Sequence, residues 1–154
     1  MRGMAWRVYE YGTWAMFLLI VVQFVAAGAG LFSALAQDST AGGILQYHKT
    51  VGPLLVLAVS ILGVIAAVVG RLPWRMTWLA AAFFPLLVLQ SILIIPFAYP
   101  DDIPALGQMP WLASLHVANA LVIFWLALQW PVWTRDTLQA MANREGSVAS
   151  PVHA

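Results

Sequence analysis

The chain has 154 residues, of which 62% are hydrophobic and 8% are charged, and its formal net charge is +1. Soluble globular domains carry about 25% charged residues, so this composition predicts an integral membrane protein with a single membrane domain. The near-neutral charge gives no sign of nucleic acid as a partner. Cysteine is absent, which excludes disulfides, iron–sulfur clusters, thiolate zinc sites and covalently attached c-type haem.

Four long stretches without charged residues predict four transmembrane helices. A helix of about 20 apolar residues crosses the hydrocarbon core of a bilayer, and each stretch is long enough to do so. Four such helices joined by short connections predict an all-α fold, an up-down antiparallel bundle. The stretches are residues 14–36, 50–70, 76–99 and 111–133.

The first predicted helix ends in small residues, among them Gly28 and Gly30, which allow a neighbouring helix or a flat ligand to approach closely. Ala34, Leu35 and Ala36 resemble a signal-peptidase site. The apolar run before them is longer than the roughly 7–15 residues of a secretory signal. We therefore expect this segment to remain as a membrane helix.

The second predicted helix begins near His48, and Pro53 complicates its start. Proline fits the first turn of a helix but disrupts the interior. The helix therefore either begins near Thr50, with His48 at its lip, or begins earlier and kinks. Residues 71–75 are long enough only for a tight turn into the third helix.

The third and fourth predicted helices carry further polar residues. Gln90 in the third helix and Gln23 in the first are predicted to form hydrogen bonds between helices. Pro110 suits the start of the fourth helix, and His116 lies six residues further on, about 9 Å deeper. Trp130 is predicted to mark the exit of this helix from the membrane.

The basic residues are distributed unequally between the two ends of the helices. Six arginines lie at one end and a single lysine, Lys49, at the other. The positive-inside rule then places both termini in the cytoplasm and the loops around Asp38 and residues 101–102 outside. The arginines are Arg2, Arg7, Arg71, Arg75, Arg135 and Arg144.

These features predict a multi-pass protein of the bacterial inner membrane. We assign residues 1–135 to the transmembrane domain and residues 136–154 to a cytoplasmic tail. The tail is expected to begin as a short polar helix and to contain His153, to which we assign no function.

The four helices resemble a tandem duplication of one hairpin. Each half has an outward helix, an acidic outer loop and an inward helix with a histidine near its start, His48 in one half and His116 in the other. Two parallel hairpins of this kind are related by an axis along the membrane normal. That arrangement places the two histidines across the axis from each other.

Histidines in membrane spans are rare and are candidates for function. His48 lies 23 residues before Arg71 and His116 lies 19 residues before Arg135, so their depths differ by roughly 6 Å or less. Imidazole is a good axial ligand of haem iron, so the pair predicts one haem b between the second and fourth helices. Small residues are expected to leave room for it, namely Gly28, Gly30, Gly52, Ala118 and Ala120.

Two further residues belong to this predicted site. Lys49 lies at the outer interface, where haem propionates would be found, and Gln90 could contact a haem edge or a quinone. With His48 and His116 as the metal ligands, these four residues form the predicted cofactor-binding set. No catalytic residue is predicted.

The motif His48-Lys49-x-x-Gly52 at the start of the second helix, with His116 early in the fourth, resembles one half of a haem A synthase. It is also similar to the four-helix cores of b561-type cytochromes. The resemblance covers residues 10–135 and implies a four-helix bundle that holds b-type haem through these two histidines. The synthase family has a glutamate one turn before its first ligand, where this chain has Ile44 and Leu45, so synthase activity is not implied.

These patterns favour a membrane cytochrome that acts in electron transfer or haem handling at the outer leaflet. Its partners would be membrane lipid and either a quinone or an external redox partner. The alternative is a haem-free accessory subunit of a larger membrane complex or homo-oligomer, whose histidines are bonded to carbonyl groups at the interface. A proton relay or a divalent-metal site remains open, with acidic help from Asp101 and Asp102.

Overall fold

The computed structural model describes residues 2–98 and 110–148 of the chain. Within these ranges the fold is all-α and contains no strand. The elements are α1 (Arg2–Leu35), α2 (Ala41–Gln46), a π-helical turn (Tyr47–Val51), α3 (Gly52–Val69), α4 (Trp74–Ala98) and α5 (Pro110–Val148). The prediction of an all-α membrane protein is confirmed.

Four of these segments are long and apolar enough to cross a membrane. They are Gly3–Leu35, Gly42–Val69, Trp74–Ile94 and Ser114–Arg144. The second combines α2, the π-helical turn and α3 into one continuous helix. Apolar side chains cover much of the outer surface of the bundle, as expected of helices in contact with lipid.

The helices pack as a ring in which each contacts its neighbours along the chain, and α5 closes the ring against α1. The connected neighbours run in opposite directions, which gives the predicted up-down bundle. Within the described residues, α3 and α5 lie diagonally and share no extended interface. The two hairpins, α1 with α2–α3 and α4 with α5, therefore place α3 and α5 on opposite sides of the bundle.

Two helices extend further than the sequence indicated. The first begins at Arg2 rather than near residue 14, and the last continues to Val148 rather than ending near residue 133. Neither proline nor glycine interrupts residues 132–145, so the helix continues where its side chains become polar. Leu138 and Met141 pack against the buried core. The boundary between membrane domain and tail at residue 135 stays a prediction. His153 lies outside the described residues.

Of the two predicted alternatives for the second helix, the structure has the one in which the helix begins before Thr50. The helix begins at Ala41 and passes through the π-helical turn before Pro53. Proline has no N–H to donate, and in a regular helix its ring would clash with the carbonyl of Lys49. The wider turn avoids this clash, and the N–H of Gly52 bonds the carbonyl of Tyr47, five residues back.

The arginine-rich turn between α3 and α4 is tight, as predicted. Arg71 adopts a left-handed conformation with φ of 51°. Its N–H bonds Val68, and the N–H of Leu72 bonds Ala67, the paired bonds of a Schellman helix end. Gln37 ends α1 in the same way, with φ of 57°.

The core is densest at the end of the bundle that carries this turn. Tyr9 is fully buried and donates its hydroxyl to the carbonyl of Met76 at 2.6 Å. Trp130 donates its indole N–H to the Tyr9 hydroxyl at 2.8 Å and stacks on Phe83. The Trp130 side chain is 1% exposed and finds a buried acceptor, so it packs in the core of the bundle rather than against lipid. Its predicted level at the exit from the membrane stays a prediction.

Candidate functional site

Two histidine–glutamine pairs lie at the opposite end of the bundle. His48 is part of the π-helical turn, and His116 lies in the second turn of α5. Both side chains are partly buried. π-Helical turns occur frequently at functional sites, because the extra residue changes the direction of the side chains around it.

In the first hairpin, Nδ1 of His48 lies 2.9 Å from Oε1 of Gln23 on α1. The amide of Gln23 reaches the ring by passing over the backbone of Gly52. A Cβ atom at residue 52 would overlap with the Gln23 amide, so the absence of a side chain there makes the pair possible. The predicted role of Gln23 in bonding between helices is borne out by this contact.

In the second hairpin, His116 is held by both ring nitrogens. Its Nδ1 lies 3.1 Å from the backbone carbonyl of Gln90, and its Nε2 lies 3.0 Å from the side-chain nitrogen of the same residue. Gln90 is in turn fixed by Asn119, whose amide donates to Gln90 Oε1 at 2.6 Å and to the carbonyl of Leu86 at 2.9 Å.

Asn119 is the member of this site that the sequence reasoning missed. It is 7% exposed and lies three residues after His116, on the same face of α5. Its position was a usable signal, because an asparagine in an otherwise apolar span needs a partner for its amide.

The hydrogen bonds determine which ring nitrogen is available. A backbone carbonyl can only accept, so His116 carries its hydrogen on Nδ1 and its lone pair on Nε2. The Gln23 oxygen gives His48 the same tautomer. The two rings then differ in one respect, because Nε2 of His116 accepts from Gln90, whereas Nε2 of His48 has no hydrogen bond within residues 2–98 and 110–148.

The other predicted site features have mixed outcomes. Lys49 is exposed beside His48, which leaves its cofactor contact a prediction. The space expected at Gly52 is filled by Gln23, and that at Gly30 is filled by Leu45; Gly28 has no neighbour within 4 Å. No cluster of three or more histidine, aspartate or glutamate side chains with metal-binding geometry occurs in residues 2–98 and 110–148.

Residues 23–98 are similar to a protein family of unknown function, DUF6220. The similarity extends over slightly less than half of the 154-residue chain. It includes Gln23, His48 and Gln90 and ends before His116. No curated protein and no solved structure matches the chain. The function must therefore be argued from the chemistry of the two histidine–glutamine pairs.

Proposed function

We propose that the protein is a membrane cytochrome that binds one haem b between α3 and α5, with His48 and His116 as axial ligands. The observation that carries the proposal is that Nδ1 of each ring lies within hydrogen-bond distance of an oxygen acceptor. A histidine that binds a metal almost always donates its other ring N–H to a carbonyl, carboxylate or water. Both Nδ1 atoms are engaged in this way, which leaves the lone pair of each ring on Nε2. That of His116 accepts from Gln90 and would have to exchange this bond for one to iron.

The helix arrangement supports the same proposal. Two axial ligands must approach iron from opposite faces, so they must come from helices that do not pack directly together. The helices that carry His48 and His116 are diagonal in the bundle and share no extended interface within the described residues. A bis-histidine haem needs only two protein ligands, so the lack of a larger cluster there does not weigh against it.

The two rings fit this role once the Gln90 side chain has moved, and a haem would also need the space that Gln23 fills beside Gly52 and Leu45 fills beside Gly30. His48 has its Nε2 available, whereas the Gln90 side chain must turn away from Nε2 of His116. That movement leaves the bond from Nδ1 to the backbone carbonyl intact, so the ring stays oriented. Haem held in this way supplies one-electron redox chemistry. The protein would contribute ring orientation, exclusion of water and a low-dielectric surrounding.

Electron transfer is favoured over an enzymatic reaction at the iron. Two histidine ligands would close both axial positions, and the positions three and four residues before His48 hold Leu45 and Ile44, which carry no acid–base group. We propose quinol in the membrane or an external redox partner as the electron donor or acceptor. Carbon monoxide added to the reduced protein should leave the spectrum unchanged, and a clear shift would count against the closed site.

Orientation in the inner membrane is part of the proposal. Six arginines at one end against Lys49 at the other place both termini in the cytoplasm and the histidine pairs toward the outer leaflet. A reporter fused after Ala154 should be cytoplasmic, and one inserted at Gly42 should be external. The opposite result would place the redox site toward the cytoplasmic leaflet.

The decisive test is the visible spectrum of the full chain expressed with ample haem. We expect a low-spin, six-coordinate b-type spectrum with a sharp reduced α-band. His48→Ala and His116→Ala should each abolish it or convert it to high spin, because each removes one ligand. His153→Ala is the matched control and should leave the spectrum unchanged. A colourless wild-type protein, or a full spectrum in either ligand variant, would contradict the proposal.

The second candidate is a haem-free accessory subunit of a larger membrane complex. The observation that favours it is the closed network around His116, in which both ring nitrogens already have partners inside the bundle. Such a histidine could serve helix packing alone. This candidate predicts that His116→Ala lowers stability more than His48→Ala and that neither wild type nor variants take up haem.

A further inference from the structure

An open cleft lies at the arginine-rich end of the bundle, between the start of α4 and the polar part of α5. Its volume is about 650 Å³. Ligand-binding clefts usually measure about 300–1,000 Å³, so this one is large enough for a small organic group. It is far from the histidine pairs, and nothing in the proposed haem function depends on it.

The cleft brings together side chains of opposite charge. Arg75 lines it from α4 and Asp136 lines it from α5. Both residues belong to the described part of the chain, and no ion pair joins them. A molecule lying between them would need an anionic group for the guanidinium and a cationic group for the carboxylate. This charge complementarity selects a zwitterion.

Three tryptophans form the apolar part of the same cleft, Trp74, Trp78 and Trp133. Trp74 and Trp78 pack edge to face with ring centroids 5.4 Å apart. Tryptophan is favoured at the level of lipid headgroups, where an apolar body and a polar N–H are both accommodated. The cleft therefore has the composition of a site at the membrane surface rather than of a site in the aqueous phase.

A second groove indicates where the rest of the ligand would lie. It follows the outer surface between α3 and α4, has a volume of about 790 Å³, and is lined largely by apolar residues such as Leu57, Ile61 and Ala82. Trp78 borders both the cleft and this groove. A charged headgroup site that adjoins an apolar groove suits a lipid rather than a soluble zwitterion.

We infer that this cleft binds the headgroup of a zwitterionic phospholipid with a primary ammonium, the chemistry of phosphatidylethanolamine. Arg75 holds the phosphate, Asp136 accepts hydrogen bonds from the ammonium, and an acyl chain enters the groove beyond Trp78. A quaternary choline headgroup has no N–H to donate to Asp136, so it fits this carboxylate less well. A glycerol headgroup has no positive charge to offer it.

The test compares three lipids with identical acyl chains on the full chain in detergent after delipidation. Native mass spectrometry measures the binding of phosphatidylethanolamine, phosphatidylcholine and phosphatidylglycerol. We expect the ethanolamine lipid to bind about tenfold more tightly than either of the others, the effect of one charge-assisted hydrogen bond. Equal binding of all three lipids, or preference for choline or glycerol headgroups, would overturn the inference.

Two variants assign the preference to the cleft. Asp136→Asn should remove the advantage of the ethanolamine lipid over the glycerol lipid, and Arg75→Gln should weaken both. Glu10→Gln and Arg7→Gln change the same charges at the same end of the bundle outside the cleft and should leave the preference unchanged. Both cleft residues are exposed, so these variants should fold. A preference that survives both cleft variants would place the lipid elsewhere.

Discussion

The two hairpins carry the same pair of side chains, but the pairs differ in how completely they are bonded. Gln23 and His48 are 25 residues apart and are joined by a single hydrogen bond. Gln90 and His116 are 26 residues apart and are joined by two, with Asn119 fixing the glutamine from a third direction. Within the described residues, no side chain of the first hairpin bonds Gln23 as Asn119 bonds Gln90.

The backbone is also less regular around His48 than around His116. His48 lies in a π-helical turn imposed by Pro53, whereas His116 lies in a regular α-helix. The bundle thus contains one open histidine, whose Nε2 has no partner among the described residues, and one closed histidine, whose Nε2 is bonded to Gln90. The open site is suited to take a ligand first, and the closed site must rearrange before it can ligate.

The largest expected effect concerns haem affinity and rests on the proposed function. Gln23→Leu removes the hydrogen bond that orients the His48 ring, and loss of such a partner typically lowers metal affinity about 10- to 100-fold. Gln90→Leu removes the group that competes for Nε2 of His116 but keeps the backbone carbonyl that orients the ring. We expect haem titration of Gln90→Leu to give an affinity equal to or above that of wild type.

The matched control for this pair is Ser91→Ala. Ser91 follows Gln90 on α4, is exposed, and bonds only the carbonyl of Leu87 within its own helix. Its replacement should leave haem affinity unchanged. Equal losses of affinity in Gln23→Leu and Gln90→Leu would show that the two sites do not differ as the hydrogen bonds indicate.

The next effect concerns stability without haem. Asn119→Leu removes hydrogen bonds to Leu86 and Gln90 inside the bundle and should lower the free energy of unfolding by about 2 kcal/mol. Gln23→Leu removes one bond and should cost about 1 kcal/mol. Unfolding in mixed detergent measures both. A larger loss for Gln23→Leu than for Asn119→Leu would reverse the assignment of the open and closed sites.

Much of the fold could be predicted from the sequence because the membrane restricts what a chain can do. A long apolar stretch must be helical to satisfy its backbone, so the four spans and their order follow from hydropathy. The depths of His48 and His116 follow from the rise per residue. The partners of these rings do not, because helices that are apolar all round carry little information on how each is rotated about its axis.

Local exceptions to regular helix geometry were also beyond the sequence. Pro53 indicated that the start of the second helix would be irregular. A kink, a later helix start and a π-helical turn can each accommodate a proline, which has no N–H to donate, so the sequence did not decide among them. Trp130 suits a membrane interface by residue type, and its burial depends on a Tyr9 hydroxyl 121 residues away. Long-range hydrogen bonds of this kind are decided by packing, which single-sequence patterns do not contain.

A smaller effect tests how the open pair is accommodated. Gly52→Ala places a Cβ where the Gln23 amide lies, so the amide must move and its bond to His48 is lost. We expect a net loss of about 1 kcal/mol in stability and a change in the ¹⁵N signal of His48 Nδ1. Gly28→Ala is the matched control, because nothing lies within 4 Å of its added Cβ. An unchanged His48 signal in Gly52→Ala would contradict the contact.

The smallest effect concerns the loop between α1 and α2 and its response to pH. Asp38 accepts from the backbone N–H of Thr40 at 2.9 Å, and this bond holds the pKa of the carboxyl below its ordinary value. The contribution of a carboxylate with a lowered pKa is fully present above the unfolded value of about 3.9 and is lost as pH falls through the folded pKa. Protection of the Thr40 amide from hydrogen exchange, corrected for intrinsic rates, should therefore be constant between about pH 5 and 8 and decline only below about pH 4. Asp38→Asn should show weaker protection without this acid transition, whereas Asp101→Asn should behave as wild type. A transition near neutral pH would mean that another group controls the loop.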